Sequence, residues 1–370
     1  MTKLKSIRIS GWKSIKDSDD IELRQLNVFI GANGCGKSNF VSFFKLLNEM
    51  IGERLQDFIA TSGYAQSVLH YGPKVSPILE ASLMFETFTG TSDYLMRLVH
   101  AAGDTLIFTE ERVQFHRLGF SQPLPPKVLG SGHRETALGA RAREGDETAM
   151  VVRSLVSKCR VYQFHDTSST SAIRRPGYVA NDRFLFPDAG NLAAVLYRFK
   201  ETEPEAYARI VGTIRQVAPF FGDFELEPMA KSPENIRLNW REKGVDQIFG
   251  PHQISDGTLR AIALVTLLLQ PENNLPTVIV IDEPELGLHP YAIGVLASLV
   301  KKAAHHCQVI LATQSPALLD EFEPEDVVVV DREDKESKFS RLEPDQLDSW
   351  LEEYSFSEVW EKNVFGGGPH

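Results

Sequence analysis

Leu26-Asn27-Val28-Phe29-Ile30-Gly31-Ala32-Asn33-Gly34-Cys35-Gly36-Lys37-Ser38-Asn39 decides the fold. Leu26 to Ile30 reads as a short buried strand that ends at a glycine-rich turn. From Asn39 to Glu53 apolar residues recur at helical spacing, at Phe40, Phe43, Phe44, Leu47 and Ile51. Between strand and helix lies a complete G-x-x-x-x-G-K-S run. Its glycines let backbone N–H groups turn inward around a β-phosphate, and the following helix adds its partial positive charge. Lys37 is placed to reach the β- and γ-phosphates, and the Ser38 hydroxyl to ligate Mg²⁺. A glycine-rich turn with a chance lysine is the plainer reading, and the strand–loop–helix setting argues against it.

The complementary half lies at Val278-Ile279-Val280-Ile281-Asp282-Glu283, four apolar residues and then two carboxylates. Asp282 is suited to hold Mg²⁺ through water, and Glu283 to polarise an attacking water. Alone, Asp-Glu-Pro after a strand is equally a helix-capping turn; downstream of a complete phosphate loop the catalytic reading is favoured. Glu285 is better read as a surface or capping carboxylate. Around this segment a helix (Ser255 to Gln270), a helix with proline at its first position (Pro290 to His305) and buried strands (Thr277 to Ile281, Val309 to Thr313, Asp326 to Asp331) alternate. That alternation predicts an α/β fold with a parallel core sheet covered on both faces.

The rest of the chain is organised around these motifs. Residues 3–10 alternate like an edge strand; Leu79 to Phe88 and Thr105 to Leu118 read as antiparallel strands, Ser121 to Gly132 as a loop, and 133–158 as helical. These give an inserted β/helical subdomain over 54–158. Asn191 to Lys200 and Pro204 to Val217 read as helices of a helical lobe over 190–240. No heptad run is present.

At 370 residues the chain fits one large domain with insertions or two domains. A net charge of −11 argues against coating nucleic acid by charge alone, though not against a local basic groove. Cys35, Cys159 and Cys307 are too few and scattered for a disulfide framework, which suits a reducing, cytoplasmic setting. No apolar run approaches the ~20 residues of a membrane helix, so no membrane partner is expected. The tail from Asp320 to Glu361 carries 16 acidic against 4 basic residues and reads as a solvated acidic surface.

The phosphate loop with its trailing Asn39, followed late by Ile254-Ser255-Asp256-Gly257-Thr258 and then Asp282-Glu283-Pro284, resembles the ABC-type ATPases of the RecF/SMC and OLD-like group. It looks closest to stand-alone bacterial ATPases of the AAA-21 kind. Gly11-Trp12-Lys13-Ser14-Ile15, Tyr162 to Thr167 and Gly190-Asn191-Leu192-Ala193 extend the likeness over most of the chain. The resemblance implies an ABC-ATPase head, a P-loop NTPase with an antiparallel β subdomain and a helical insertion, 1–370 forming a single head. It further implies a homodimer, open to higher assembly, with ATP and Mg²⁺ sandwiched between copies. Gly31, Asn33, Gly34, Cys35, Gly36, Lys37, Ser38 and Asn39 are then the ATP-binding residues.

In such a dimer Ser255, Asp256 and Gly257 correspond to the signature that meets the other copy's γ-phosphate, with Asp256 where the usual Leu-Ser-Gly-Gly-Gln has glycine. A Ser-Asp helix cap is the competing reading. His289 falls in the D-loop position or simply precedes a helix. Gln314 stands where many relatives carry a switch histidine and, with Glu283, is a catalytic candidate; it can donate a hydrogen bond but cannot take up a proton. Gln163 reads as a Q-loop residue or as a buried structural glutamine. Alkylation of Cys35 is expected to inhibit turnover.

The same likeness points to ATP-driven closure coupled to DNA or to a separate effector such as a nuclease, in phage defence or DNA maintenance. Lys127 to Arg183 holds 10 basic and 6 acidic residues, with Arg134, Arg141, Arg143, Arg174 and Arg175 the nucleic-acid contact candidates; a solvated helix face explains the run equally. A transporter ATPase subunit, whose signature follows the phosphate loop much sooner, and a non-hydrolysing nucleotide-dependent scaffold are the rival readings.

Overall fold

The computed structural model describes residues 2–343 and 347–368. The chain forms two compact units: Met1–Val161 with Pro276–Val280 and Cys307–His370, and Tyr162–Leu275 with Ile281–His306.

The first unit holds two sheets. Leu26–Ile30, wholly buried, pairs in parallel with Gln308–Thr313 on one side and Val327–Glu333 on the other. The sheet is six-stranded, in the order Glu336–Arg341, Val327–Glu333, Leu26–Ile30, Gln308–Thr313, Val278–Asp282, Cys159–Tyr162. Glu336–Arg341 is a hairpin addition, antiparallel to Val327–Glu333. Continuous apolar runs such as Val327 to Val330 are buried on both faces, as a parallel sheet requires.

The second sheet is antiparallel and starts at the amino terminus: Lys3–Trp12 pairs with Ile78–Thr87, which continues through Gly90–Ala101 and Thr105–Arg117 to Lys127–Gly130. Residues 54–158 therefore extend a sheet that residues 3–22 begin. Ile78–Thr87 and Gly90–Ala101 alternate buried and half-buried positions, so one face is core. The strand Gly90–Ala101 was not foreseen. Gly90, at φ 146 with Thr89 before it, makes the tight hairpin, and a Cβ there would meet the His116 carbonyl oxygen at 2.0 Å.

Helix Lys37–Ile51 buries Phe40, Phe43, Phe44, Leu47 and Ile51, the positions its spacing marked, and also Val41, Leu46 and Met50. Phe29 stacks on Phe40 at 4.4 Å between ring centroids, tying strand to helix. Each such buried ring contributes about 1.5–3 kcal/mol through apolar burial.

The second unit contains helices Leu192–Thr202, Pro204–Val217, Asp256–Leu269 and Pro290–Ala304. The stretch 190–240 is helical only as far as Val217. Phe221–Glu225 and Asn239–Glu242 pair as strands, where Phe221, Phe224 and Trp240 form an aromatic cluster.

The acidic tail is less solvated than its composition suggests. Asp320 accepts from the Ser357 amide and hydroxyl at 2.7 and 2.6 Å, and Asp331 from the Gly367 amide at 3.2 Å. Residues 344–346 of that tail lie outside the described residues. Among the described residues no helix is long and apolar enough to cross a membrane.

Candidate functional site

In the first unit the phosphate loop is wrapped around its own lysine. Lys37 is only 5% exposed, and its Nζ donates to the Gly31 and Ala32 carbonyls at 2.5 and 3.1 Å. Gly34 (φ 80) and Gly36 (φ 120) take conformations that side chains rarely adopt. Gly36 has a second constraint, since a Cβ would lie 2.0 Å from the Ser337 hydroxyl. Asn33, Gly34 and Ser38 are exposed along the open side of the loop. Cys35 is 4% exposed, with its thiol 3.8 Å from Lys37 Nζ, so alkylation of the folded protein is hindered, contrary to the expectation from sequence.

The Gly11-Trp12-Lys13-Ser14 stretch anchors the helix that follows the loop. Trp12 Nε1 donates to the Asn39 carbonyl at 2.8 Å, and the Asn39 amide donates to Ser14 Oγ at 2.7 Å. Ser337 closes the loop from below, donating to the Cys35 carbonyl at 2.6 Å. A cleft of about 790 Å³ opens beside it, lined among others by Lys13, Ser14, Tyr71, Lys74 and Arg332. Arg332 joins loop and cleft, donating to the Gly34 carbonyl at 3.0 Å and to Tyr71 Oη at 3.1 Å. Burial, helped by the charge of Lys45, pulls the Lys13 ammonium below its usual range. Gln314 follows the strand Gln308–Thr313 and is half-buried; the adjacent Ser315 caps the next short helix.

The second unit holds the carboxylates. Gln163 is half-buried and donates to Asp282 Oδ2 at 2.9 Å. The His165 Nε2 bonds the Asp282 carbonyl at 2.9 Å, and since a carbonyl only accepts, that nitrogen carries the proton. Glu283 stands at φ 42, a left-handed conformation costing about 1–3 kcal/mol for such a residue. Strain of this kind concentrates where a side chain must be aimed.

Ser255 caps helix Asp256–Leu269, accepting from the Thr258 amide at 3.3 Å. Gly257 lies against Gly287, so close that a Cβ would come within 2.2 Å of the Gly287 carbonyl oxygen. The helix start and the Leu286–His289 turn are thus packed backbone to backbone. His289 is exposed and caps the Pro290–Ala304 helix, its Nδ1 accepting from the Tyr291 amide at 3.3 Å. Two arginines that sequence reasoning did not place here bind this region together. Arg260, in the Asp256 helix, donates to the carbonyls of Phe164 (3.1 Å), His165 (2.8 Å) and Leu286 (3.3 Å). Arg174 bonds Asp256 at 2.6 Å, and that hydrogen bond and charge hold the exposed Asp256 carboxyl below its usual range.

Arg174 therefore leaves the set of nucleic-acid contacts: it is 6% exposed and its donors are taken by groups of its own unit. Arg141 and Arg143 are exposed but paired with Glu144 and Glu53, while Arg134 and Arg175 are exposed. Arg134, Arg141 and Arg143 belong to the first unit and Arg174 and Arg175 to the second.

The family model described as "AAA domain, putative AbiEii toxin, Type IV TA system" matches residues 160–320. The fold is that of the Smc head bound to the C-winged helix domain of ScpA, at a TM-score of 0.62 and 13% identity over 95% of this chain and 99% of that one. A Pyrococcus furiosus Smc head with an extended coiled coil, bound to the C-terminal domain of ScpA, gives 0.60 and 14% over the same shares. At such identity the likeness shows the fold, an ABC-type P-loop head, as the resemblance in sequence implied. Comparison with curated proteins returns no sequence match.

Proposed function

We propose that this ABC-type ATPase of the RecF/SMC-like group binds ATP with Mg²⁺ at the Gly31–Asn39 loop and hydrolyses it between two copies of the chain. The phosphate loop carries the reading. Its glycine conformations leave the amides of an exposed rim free of side chains, and its buried lysine is already aimed into the ring that phosphate oxygens would fill. The cationic cleft beside it suits the remainder of a nucleotide.

Lys37 exchanges two loop carbonyls for phosphate oxygens, which replaces neutral acceptors by charged ones and strengthens its bonds. Ser38 and Asp282 are the residues that would hold Mg²⁺, whose charge offsets that of the phosphates. Gln163, bonded to Asp282, orients that carboxylate. Glu283 takes the proton of the attacking water, its strained backbone fixing where its carboxylate points. Ser255 and the Gly257 amide meet the γ-phosphate of the other copy, with His289 at the same junction and Gln314 donating to the phosphate. Residues 54–158, as an insertion, supply specificity.

Closure acts on a separate effector or on DNA. The first is supported by the family description, which names a toxin–antitoxin system, and by Smc heads that carry a bound second protein. For DNA the support is the exposed Arg134, Arg141, Arg143 and Arg175, without the buried Arg174.

Glu283→Gln tests the hydrolytic reading. Turnover is expected to fall about 10²- to 10⁴-fold, while an ATP-bound dimer accumulates on sizing with light scattering. Undiminished turnover removes Glu283 from the mechanism, and absence of turnover in the unmodified protein leaves a nucleotide-dependent scaffold.

A further inference from the structure

A carboxylate at the second position of the Ser255-Asp256-Gly257 turn is a liability for any site that must receive a phosphate, because the two anions repel in a poorly screened interface. The structure shows what contains it. Arg174 sits at the end of a short 3-10 turn, Ala172–Arg174, and reaches across 77 to 82 residues of sequence. Its Nε donates to the Thr167 carbonyl at 2.7 Å. One terminal nitrogen donates to the carbonyls of Pro251 and Ile254, the latter at 3.1 Å, and the other meets Asp256 Oδ1 at 2.6 Å. A single planar guanidinium thus fixes both ends of the turn that leads into the Asp256–Leu269 helix and neutralises its first side chain. Asp256 itself is 62% exposed, so its charge would otherwise face outward.

The network continues. Thr167, which accepts from Arg174, also accepts from Arg260 through its hydroxyl at 3.3 Å; Arg260 holds the His165 carbonyl, and the His165 ring holds Asp282. No lysine could replace the fork, since an ammonium is a point charge on a flexible stem, whereas these acceptors need donors fixed in one plane.

We propose that Arg174 is a positioning residue for the contact between copies: it holds the Pro251–Asp256 turn and quenches Asp256, so that Ser255 and the helix start can accept the γ-phosphate of another protomer. This rests on the functional reading above and adds to it a residue that touches no nucleotide. Because Arg174 bonds Thr167, Pro251, Ile254 and Asp256 and none of the residues that would hold ATP or Mg²⁺, its loss separates nucleotide binding from pairing.

The test uses the full chain. For Arg174→Ala in the Glu283→Gln background, affinity of the single protomer for a fluorescent ATP analogue, read at protomer concentrations where Glu283→Gln alone stays monomeric on sizing, stays within about twofold. The kcat of the otherwise unmodified variant falls about 30-fold or more, and Arg174→Ala in the Glu283→Gln background no longer accumulates as a dimer. Adding Asp256→Ala to Arg174→Ala removes the exposed anion and restores at least part of the dimer, a rescue that a merely structural role for Arg174 does not produce. Should Arg174→Ala fail to fold, Arg174→Lys keeps the buried charge without the fork, and the same pattern is expected in milder form.

Dimerisation and kcat undiminished in Arg174→Ala, or no gain on adding Asp256→Ala, overturn the proposal. A Glu283→Gln protein that binds ATP yet never dimerises fails at an earlier step and overturns the reading beneath it. The two failures are therefore told apart by the Glu283→Gln control alone.

Discussion

The Gly31–Ser38 loop and the Pro251–Asp256 turn each deliver a helix amino terminus, and each is organised by a buried cation that donates to carbonyls of the turn. They differ in where that cation comes from. Lys37 belongs to its own loop, six residues from Gly31, whereas Arg174 arrives from a distant segment. The difference has a chemical counterpart. Lys37 bonds neutral groups, two carbonyls and the Cys35 thiol, and can exchange them for phosphate, while Arg174 is committed to a carboxylate and has no stronger acceptor to move to. One cation is a ligand-binding group at rest, and the other is a fixture.

Substitutions should separate these roles. Lys37→Ala removes charge-assisted bonds worth about 1.5–3 kcal/mol each, so ATP affinity, measured by calorimetry, is expected to drop about 100-fold or more. Unchanged affinity would place the nucleotide elsewhere than the phosphate loop.

Gly257→Ala comes next. Its Cβ would press on the backbone oxygen of Gly287, which cannot rotate away, and overpacking of this kind costs about 1–3 kcal/mol. Turnover and dimer formation should suffer, with protomer ATP affinity intact. Gly36→Ala meets a serine hydroxyl instead, which can turn aside, but its φ of 120 is denied to alanine. It should therefore weaken ATP binding itself. If the two alanines gave the same phenotype, the contrast between the loops would fail.

The smallest effect is expected far from both. Arg8 and Asp17 pair at 2.7 Å on the antiparallel sheet, with side chains 47% and 38% exposed. Arg8→Ala should lower stability by less than about 1 kcal/mol in denaturant titrations near neutrality. Asp17 is held below its usual range by its hydrogen bond to Arg8, so the pair's contribution is present above the ordinary carboxylate range. It is lost as pH falls through the depressed pKa, and wild type and variant should then converge. A loss of ATP affinity in this variant would mean that the sheet is not a passive support.

Legibility followed the range of the interactions. Phe40, Phe43, Phe44, Leu47 and Ile51 announced their helix because helical spacing alone sorts them to one side. The strands Leu26–Ile30 and Val278–Asp282 were legible as continuous apolar runs. Gly90–Ala101 alternates regularly, yet Thr89-Gly90 reads as turn residues in the sequence; pairing of Thr87 with Gly90 puts the turn at Phe88-Thr89 and lets Gly90 open a strand. The Phe221–Glu242 strands were hidden behind the strong helical pattern of Pro204–Val217, their short aromatic runs having partners only across the hairpin.

At the site, the ring around Lys37 could be read because every group in it lies within one motif. In sequence Arg174 reads as a nucleic-acid contact, because an arginine in a basic stretch carries no mark of burial. Only folding brings the Pro251 and Ile254 carbonyls and Asp256 to its guanidinium. The amino-acid order by itself determined a phosphate loop, a carboxylate-ended strand and the alternation that makes the core sheet parallel, since each depends on neighbours a few residues apart. Which charges face solvent and which are spent inside was decided by the tertiary structure, because a charged group's fate depends on partners that the chain brings near only once folded.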